Sequence, residues 1–264
     1  EVTGSSHLLT LNNGYTVLLD CGLYQGRSKD MQDFNENFLF NPEEIDCVIL
    51  SHAHIDHSGR LQKLVKDGFS GLVHTTHATR SLCSIMLLDS AKIQEYDARY
   101  ENKKNKRKGI PEVIEPLYKA KHVKQTMNQF VTYNYAQWHR IAEGLEVRFH
   151  DAGHILGSSS VNLRIELEDG HYKYLGFTGD IGRPERPILK DPQEMIPADY
   201  LIAESTYGDR IHPAKPEEYD KFLNIIKHTC LNKKGKLIIP AFSIGRTQEI
   251  VFMLDSMANE GILP

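Results

Sequence analysis

The chain has 264 residues, 40% of them hydrophobic and 25% charged, which is enough apolar content for a sizeable core and more length than one ordinary domain needs. A formal net charge of −4 and a pI near 6.4 exclude attraction to polyanions by overall charge, so any affinity for phosphate has to come from local patches or bound metal. Cys21, Cys47, Cys83 and Cys230 show no Cys-x-x-Cys spacing, and no segment reads as a signal peptide or membrane span; free thiols in a reducing, cytoplasmic setting are expected.

In chain order, Asn12-Asn13-Gly14 is a turn signal that predicts a hairpin of His7 to Thr10 with Tyr15 to Asp20. Its second strand ends in an acid, Asp20, better suited to orient a ligating histidine than to bind metal. The run Cys47 to Leu50 reads as a buried strand, and Ser51-His52-Ala53-His54-Ile55-Asp56-His57 leaves its end. His52 and His54, two apart, can point the same way from extended backbone, whereas Asp56 and His57 come from the following turn and face a second ion. Imidazole and carboxylate without thiolate suit zinc, and also manganese or iron.

Ser58 is placed to cap a helix from Gly59 to Lys66, and Ala78 to Tyr100 reads as a long helix with an apolar side. Lys103 to Lys108 follows as a basic run, either a solvated loop or a strand-guiding nucleic-acid contact. Val147 to His150 is a short strand running into Asp151-Ala152-Gly153-His154, and Tyr174 to Thr178 runs into Gly179-Asp180. His154 would complete the first metal and Asp180 would bridge both; His150 and Asp151 compete with the former, and a plain turn residue competes with the latter. Tyr200 to Ala203 reads as a buried strand ending at Glu204. Further elements are a helix over Lys215 to Leu231, a strand over Lys236 to Ile239 and a helix over Gly245 to Met257. At the start of that last helix, backbone amides, Ser243, Gly245 and Arg246 form either an anion site or an ordinary turn.

The ordered set Leu18 to Gly22, Ser51 to Leu61, Asp151 to Ser160 and Phe177 to Asp180 resembles the metallo-β-lactamase fold. Glu204 to Arg210 and Pro240 to Glu249 resemble its β-CASP branch, nucleases of RNA or in some members DNA, and Gly4 to His7 with Met86 to Glu95 are most like the bacterial and archaeal RNA-processing members related to the cleavage and polyadenylation nuclease subunit. The resemblance implies an α/β fold of the α+β kind, a four-layer αββα sandwich over residues 1–204. An inserted α/β cap begins over residues 205–264. It implies two Zn2+, one held by His52, His54, His154 and Asp180, the other by Asp56, His57 and the shared Asp180. Asp56, Asp180 and Glu204 take the catalytic roles, and Arg246 with Ser243 and Gly245 contacts phosphate. The implied activity is hydrolysis of phosphodiester bonds in single-stranded RNA, endonucleolytic or 5′ to 3′ exonucleolytic, with no membrane partner and with a homodimer as an allowed form. A DNA-acting relative, a glyoxalase II-like thioesterase and a non-catalytic scaffold subunit are the alternatives. The chain opens at Glu1 and stops at Pro264 inside an α/β pattern, which reads as a fragment lacking two later histidines that the family implies.

Overall fold

The computed structural model describes residues 3–26, 29–211 and 218–263. Ten strands form two five-stranded sheets. The first contains β1 (His7–Thr10), β2 (Thr16–Leu19), β3 (Cys47–Ile49), β4 (Leu72–Thr76) and β5 (Phe130–Tyr133) in chain order. β1 and β2 are the expected hairpin, and β2 to β5 run parallel. The second sheet has the order β10 (Tyr200–Ile202), β9 (Tyr172–Phe177), β8 (Ser159–Glu166), β7 (Leu145–Asp151), β6 (Trp138–Ala142), antiparallel except for the β9/β10 pair.

Period-two alternation explains the layering. Val17, Leu19, Cys47 and Ile49 face Leu145, Val147, Phe149, Val161, Leu163 and Phe177 of the other sheet. Leu18, Val48 and Leu50 point the other way, onto Leu61 and Leu64 of α3 (Leu61–Lys66), Cys83 and Leu87 of α4 (His77–Arg107) and Val123 of α5 (Ala120–Met127). The two-sheet α/β sandwich expected from the sequence is therefore the observed architecture. Among the described residues no helix is long and apolar enough to cross a membrane.

Four local expectations fail. Ser58 is no cap: a one-turn helix α2 (Ile55–Ser58) starts earlier, and the Ser58 hydroxyl donates back to the carbonyls of Ala53 and His54 at 2.9 and 3.0 Å, the back-bonding that competes with capping in serine. The basic run is not a loop but the last turn of α4, where Lys104, Lys106 and Arg107 suit the negative helix end. Tyr200 to Ile202 is a strand, yet an edge strand with Tyr200 63% and Leu201 62% exposed, and only Ile202 packs on the core. Lys236 to Ile239 is irregular, because no described strand lies beside it to take its backbone hydrogen bonds. Near the C-terminal side, α6 (Glu218–Ile226) runs into a π turn over Lys227–Asn232, and α7 (Arg246–Asn259) starts at Gly245 as expected. Lys215, in the expected start of α6, lies outside the described residues.

The edge at which β2, β3, β7, β9 and β10 end is held tightly. Ser159 donates its backbone N–H to the Ser51 carbonyl at 2.9 Å, joining the sheets there. Gly22 packs so closely under α2 that a Cβ would sit 1.7 Å from the Asp56 carbonyl oxygen. Gly22→Ala should therefore cost about 3 kcal/mol or more by overpacking. Gly170→Ala meets open space and a positive φ of 78° only, and should cost about 1–2 kcal/mol. Urea denaturation of both variants checks the difference; equal losses would mean the Gly22 contact relaxes freely.

Candidate metal centre

Strand ends place the chemistry. Asp20 follows β2, His52 and His54 lie on the segment after β3, α2 carries Asp56 and His57, the loop after β7 carries His154, and Asp180 and Glu204 lie just beyond β9 and β10. His52, His54, His154 and Asp180 each offer one ligand atom, all within 4.8 Å of one another. His52 Nε2 lies 3.2 Å from His54 Nδ1, which lies 3.1 Å from His154 Nε2; Asp180 Oδ2 is 3.4 Å from His154 Nε2 and 3.8 Å from His52 Nε2. The three imidazole rings stand at 79° to 81° to each other with centroids 4.9–5.0 Å apart. Four ligands about 2.0–2.1 Å from a tetrahedral centre have edges of about 3.3–3.4 Å. The residues therefore fit a metal ion of that size.

The Asp180 carboxylate is divided. Its Oδ2 belongs to this cluster, and its Oδ1 lies 3.1 Å from His57 Nε2. Behind His57, Asp20 Oδ2 takes the Nδ1 proton at 2.6 Å, which leaves Nε2 facing Asp180. Asp20 also accepts the Ser51 hydroxyl at 2.9 Å, and Ser51 Oγ is 3.0 Å from His52 Nδ1. With the hydroxyl proton given to Asp20, Ser51 accepts from His52 Nδ1, which turns the His52 Nε2 lone pair toward the cluster. Asp20, fully buried and held at a φ of +58°, thus sets two histidines. Its contacts are to the histidine Nδ1 atom and to Ser51, the position of an orienting residue. Ser5 adds a further donor to it at 3.2 Å.

Burial holds His52, His54 and His154 below the ordinary histidine value, His154 at about 4, so all are neutral near pH 7. Burial opposes charge on His57 as well, but the Asp20 and Asp180 carboxylates outweigh it and hold His57 up at about 10. Burial likewise opposes ionised Asp180, and its hydrogen bond from His57 outweighs this, keeping it below the usual carboxylate range. The chelated fold should consequently be most stable near pH 6.5, the value of an unperturbed histidine. As pH falls from there, the unfolded chain takes protons that the three buried imidazoles refuse. As pH rises, the proton His57 keeps in the fold loses its advantage, fully so beyond about 10. Urea midpoints at about pH 5, 6.5 and 9 test this, and a flat profile would contradict it.

Asp56 is half-buried in α2, and its charge acts on His54; it is not among the four clustered ligand atoms. Glu204 accepts the Ile181 amide at 2.9 Å and faces the same clefts as Asp180. Of the three residues expected at phosphate, Arg246 lines the cleft beside His154. The Gly245 amide is taken by Gln248 Oε1 at 2.8 Å, and the Ser243 carbonyl accepts from Gln248 Nε2 at 2.8 Å. His150 and Asp151 stay out of the cluster.

Sequence reasoning missed the Ser51 hydroxyl relay and an ion link from α7 to the metal loop. Arg186 donates to the His154 carbonyl at 3.2 Å and meets buried Glu249 at 3.3 Å, and Glu249 also faces Arg246 at 3.7 Å. A glutamate at a helix N-terminus looks like an ordinary dipole partner, so only the contact itself reveals Arg186.

Residues 1–224 match the family model for the metallo-beta-lactamase superfamily. The chain is 37% identical to Ribonuclease TTHA0252 of Thermus thermophilus over 254 residues, 96% of this chain and 52% of that protein. It is 34% identical to Transcription termination factor FttA of Methanococcus maripaludis over 251 residues, 93% of this chain and 36% of that one. It is 30% identical to Integrator complex subunit 11 of Danio rerio over 259 residues, 96% and 40% respectively. The chain thus spans about half or less of these relatives' length. With the family model matching most of its residues, and with a histidine and aspartate cluster at the shared edge of two stacked sheets, the chain belongs to the metallo-β-lactamase superfamily.

Proposed function

We propose that this chain is the catalytic part of a metal-dependent ribonuclease of the β-CASP branch, with residues 1–204 forming the hydrolase domain and residues 205–264 the start of the cap. The observation that carries this is the divided Asp180 carboxylate, one oxygen with the His52, His54 and His154 cluster and the other with His57. In this reading the first Zn2+ would be held by the four-ligand cluster, and a second would be held by His57 and the other Asp180 oxygen with Asp56, which stands outside the ligand cluster of this structure. When bound, the ions make water a nucleophile near neutral pH and offset charge on the phosphoryl oxygens. The protein's own part is to hold the pieces. Asp20 fixes the ring orientation of His57 and, through Ser51, of His52. Glu204, braced by the Ile181 amide, stands beside Asp180, where it can position a proton donor for the leaving oxygen.

Two clefts of about 800 and 870 Å³ open on either side and share Asp180, Glu204, Ser205 and Thr206. A chain-like substrate can cross from one to the other over the centre, which suits single-stranded RNA better than a small thioester. The relatives' printed names include a ribonuclease and a transcription termination factor, and the stretches Gly4 to His7 and Met86 to Glu95 resemble those of the RNA-processing members. Four free cysteines agree with a reducing, cytoplasmic setting.

The test is digestion of labelled single-stranded RNA, single-stranded DNA and a thioester by the full-length protein, with and without chelator. Chelator-sensitive RNA cleavage is expected. Thioester hydrolysis without nuclease activity would overturn the proposal, and cleavage of DNA alone would reassign the substrate.

A further inference from the structure

The other arginines withdrawn from water near the site, buried Arg60 and half-buried Arg186, have their partners. Arg60 donates from Nε to the Gly22 carbonyl at 2.7 Å, and Arg186 is committed to His154 and Glu249. Arg183 is different. It is half-buried, it lines the 870 Å³ cleft with His154, Asp180, Glu204 and Arg246, and among the described residues no hydrogen bond or ion pair engages it. A guanidinium withdrawn partly from water without an anion loses hydration and gains nothing in exchange. Its backbone is not free to swing it away. Gly182 donates to the Ala152 carbonyl at 2.7 Å, and a Cβ on Gly182 would fall 1.7 Å from the Gly153 carbonyl oxygen. The Ile181 amide is held by Glu204. Arg183 is thereby carried on the loop of Asp180, which the Gly182 amide ties to the loop of His154.

We propose that Arg183 binds a backbone phosphate of the RNA next to the phosphate that reacts. The assignment rests on the ribonuclease reading above. The planar fork of arginine matches phosphate with two parallel hydrogen bonds. Asp180 lines both clefts while Arg183 lines only the one on the His154 side. A strand crossing the centre therefore meets Arg183 on one side of the reacting group, with Arg246 of α7 in the same cleft.

The experiment uses full-length protein and an oligoribonucleotide in which one phosphate at a time is replaced by an uncharged methylphosphonate. Binding is read by fluorescence anisotropy with chelated protein, so that no cleavage intervenes. Arg183→Ala should weaken binding about tenfold or more, the range for a charge-assisted hydrogen bond. It should also lower the slope of log affinity against log salt by about 0.7, one phosphate on a single strand. Arg183→Lys should recover part of the loss. Wild type should lose a similar factor at one linkage adjacent to the cleaved one, and Arg183→Ala should be indifferent to that linkage while staying sensitive at others. Unchanged metal content and urea midpoint would show that the variant folds. If Arg183→Ala remains sensitive at every linkage, or keeps the wild-type salt slope, the assignment is wrong. RNA binding and cleavage by wild type with a scan blind to Arg183 would remove this assignment alone; absence of any RNA binding by wild type would remove the ribonuclease reading with it.

Discussion

His54→Ala should strip the protein of most of its metal. His54 is the common neighbour in the cluster, its Nδ1 lying 3.2 Å from His52 Nε2 and 3.1 Å from His154 Nε2. Its loss opens one vertex of the tetrahedron to water. Partners that only orient a ligand typically cost about 10–100-fold in affinity when removed, and loss of the ligand itself should exceed that. The fold should survive, since three neutral buried imidazoles converging on one point without an ion contribute little to hold it together. Zinc content of protein purified without chelator, measured by elemental analysis, gives the answer directly. Asp20→Asn supplies the graded comparison: it should weaken metal affinity by about 10–100-fold while retaining every ligand. Equal metal in His54→Ala and wild type would show that the cluster is not the site.

Asp56→Ala should abolish RNA cleavage by the full-length protein while leaving stability unchanged. In the proposed site this carboxylate completes the second ion position and holds the attacking water in line. Loss of a single preorganised group at a reacting centre costs roughly 10²–10³-fold in kcat, and loss of an ion position with it should cost more. For the fold the side chain does little. The structural work at this residue is done by its backbone carbonyl, which accepts the Ser5 amide at 2.8 Å and presses on Gly22. Alanine keeps that carbonyl, so the urea midpoint should move by no more than about 0.5 kcal/mol equivalent. Robust cleavage by this variant would defeat the two-ion scheme.

What the sequence makes legible follows from how local each signal is. His52, His54, Asp56 and His57 fall within six positions after an apolar strand, and one strand end suffices to gather them. His154 and Asp180 are far away in sequence, but each follows a strand of the second sheet beside glycines, and the cluster brings them in. The alternation of Val17, Leu18 and Leu19 likewise announces a sheet buried on both faces. The errors arise where a second element decides. Ser58 has the residue type of a cap but bonds backwards; Lys236 to Ile239 has strand composition but no described neighbour; Tyr200 and Leu201 pair as a strand at an open edge. Arg186 and Glu249 lie more than sixty positions apart and meet only in the folded chain.

If two ions bind as proposed, the paired reach of Asp20 and Asp180 would make their positions one thermodynamic system. Asp20 governs His57 directly and His52 through Ser51, and Asp180 gives one oxygen to each side. Any ion that fixes these groups at one position spares the other the work of ordering them, and the favour is returned in equal measure because coupling free energy is reciprocal. Uptake at the proposed centre would then be a cooperative event, and the metal supply needed to half-fill it would be set by the pair, not by either position alone.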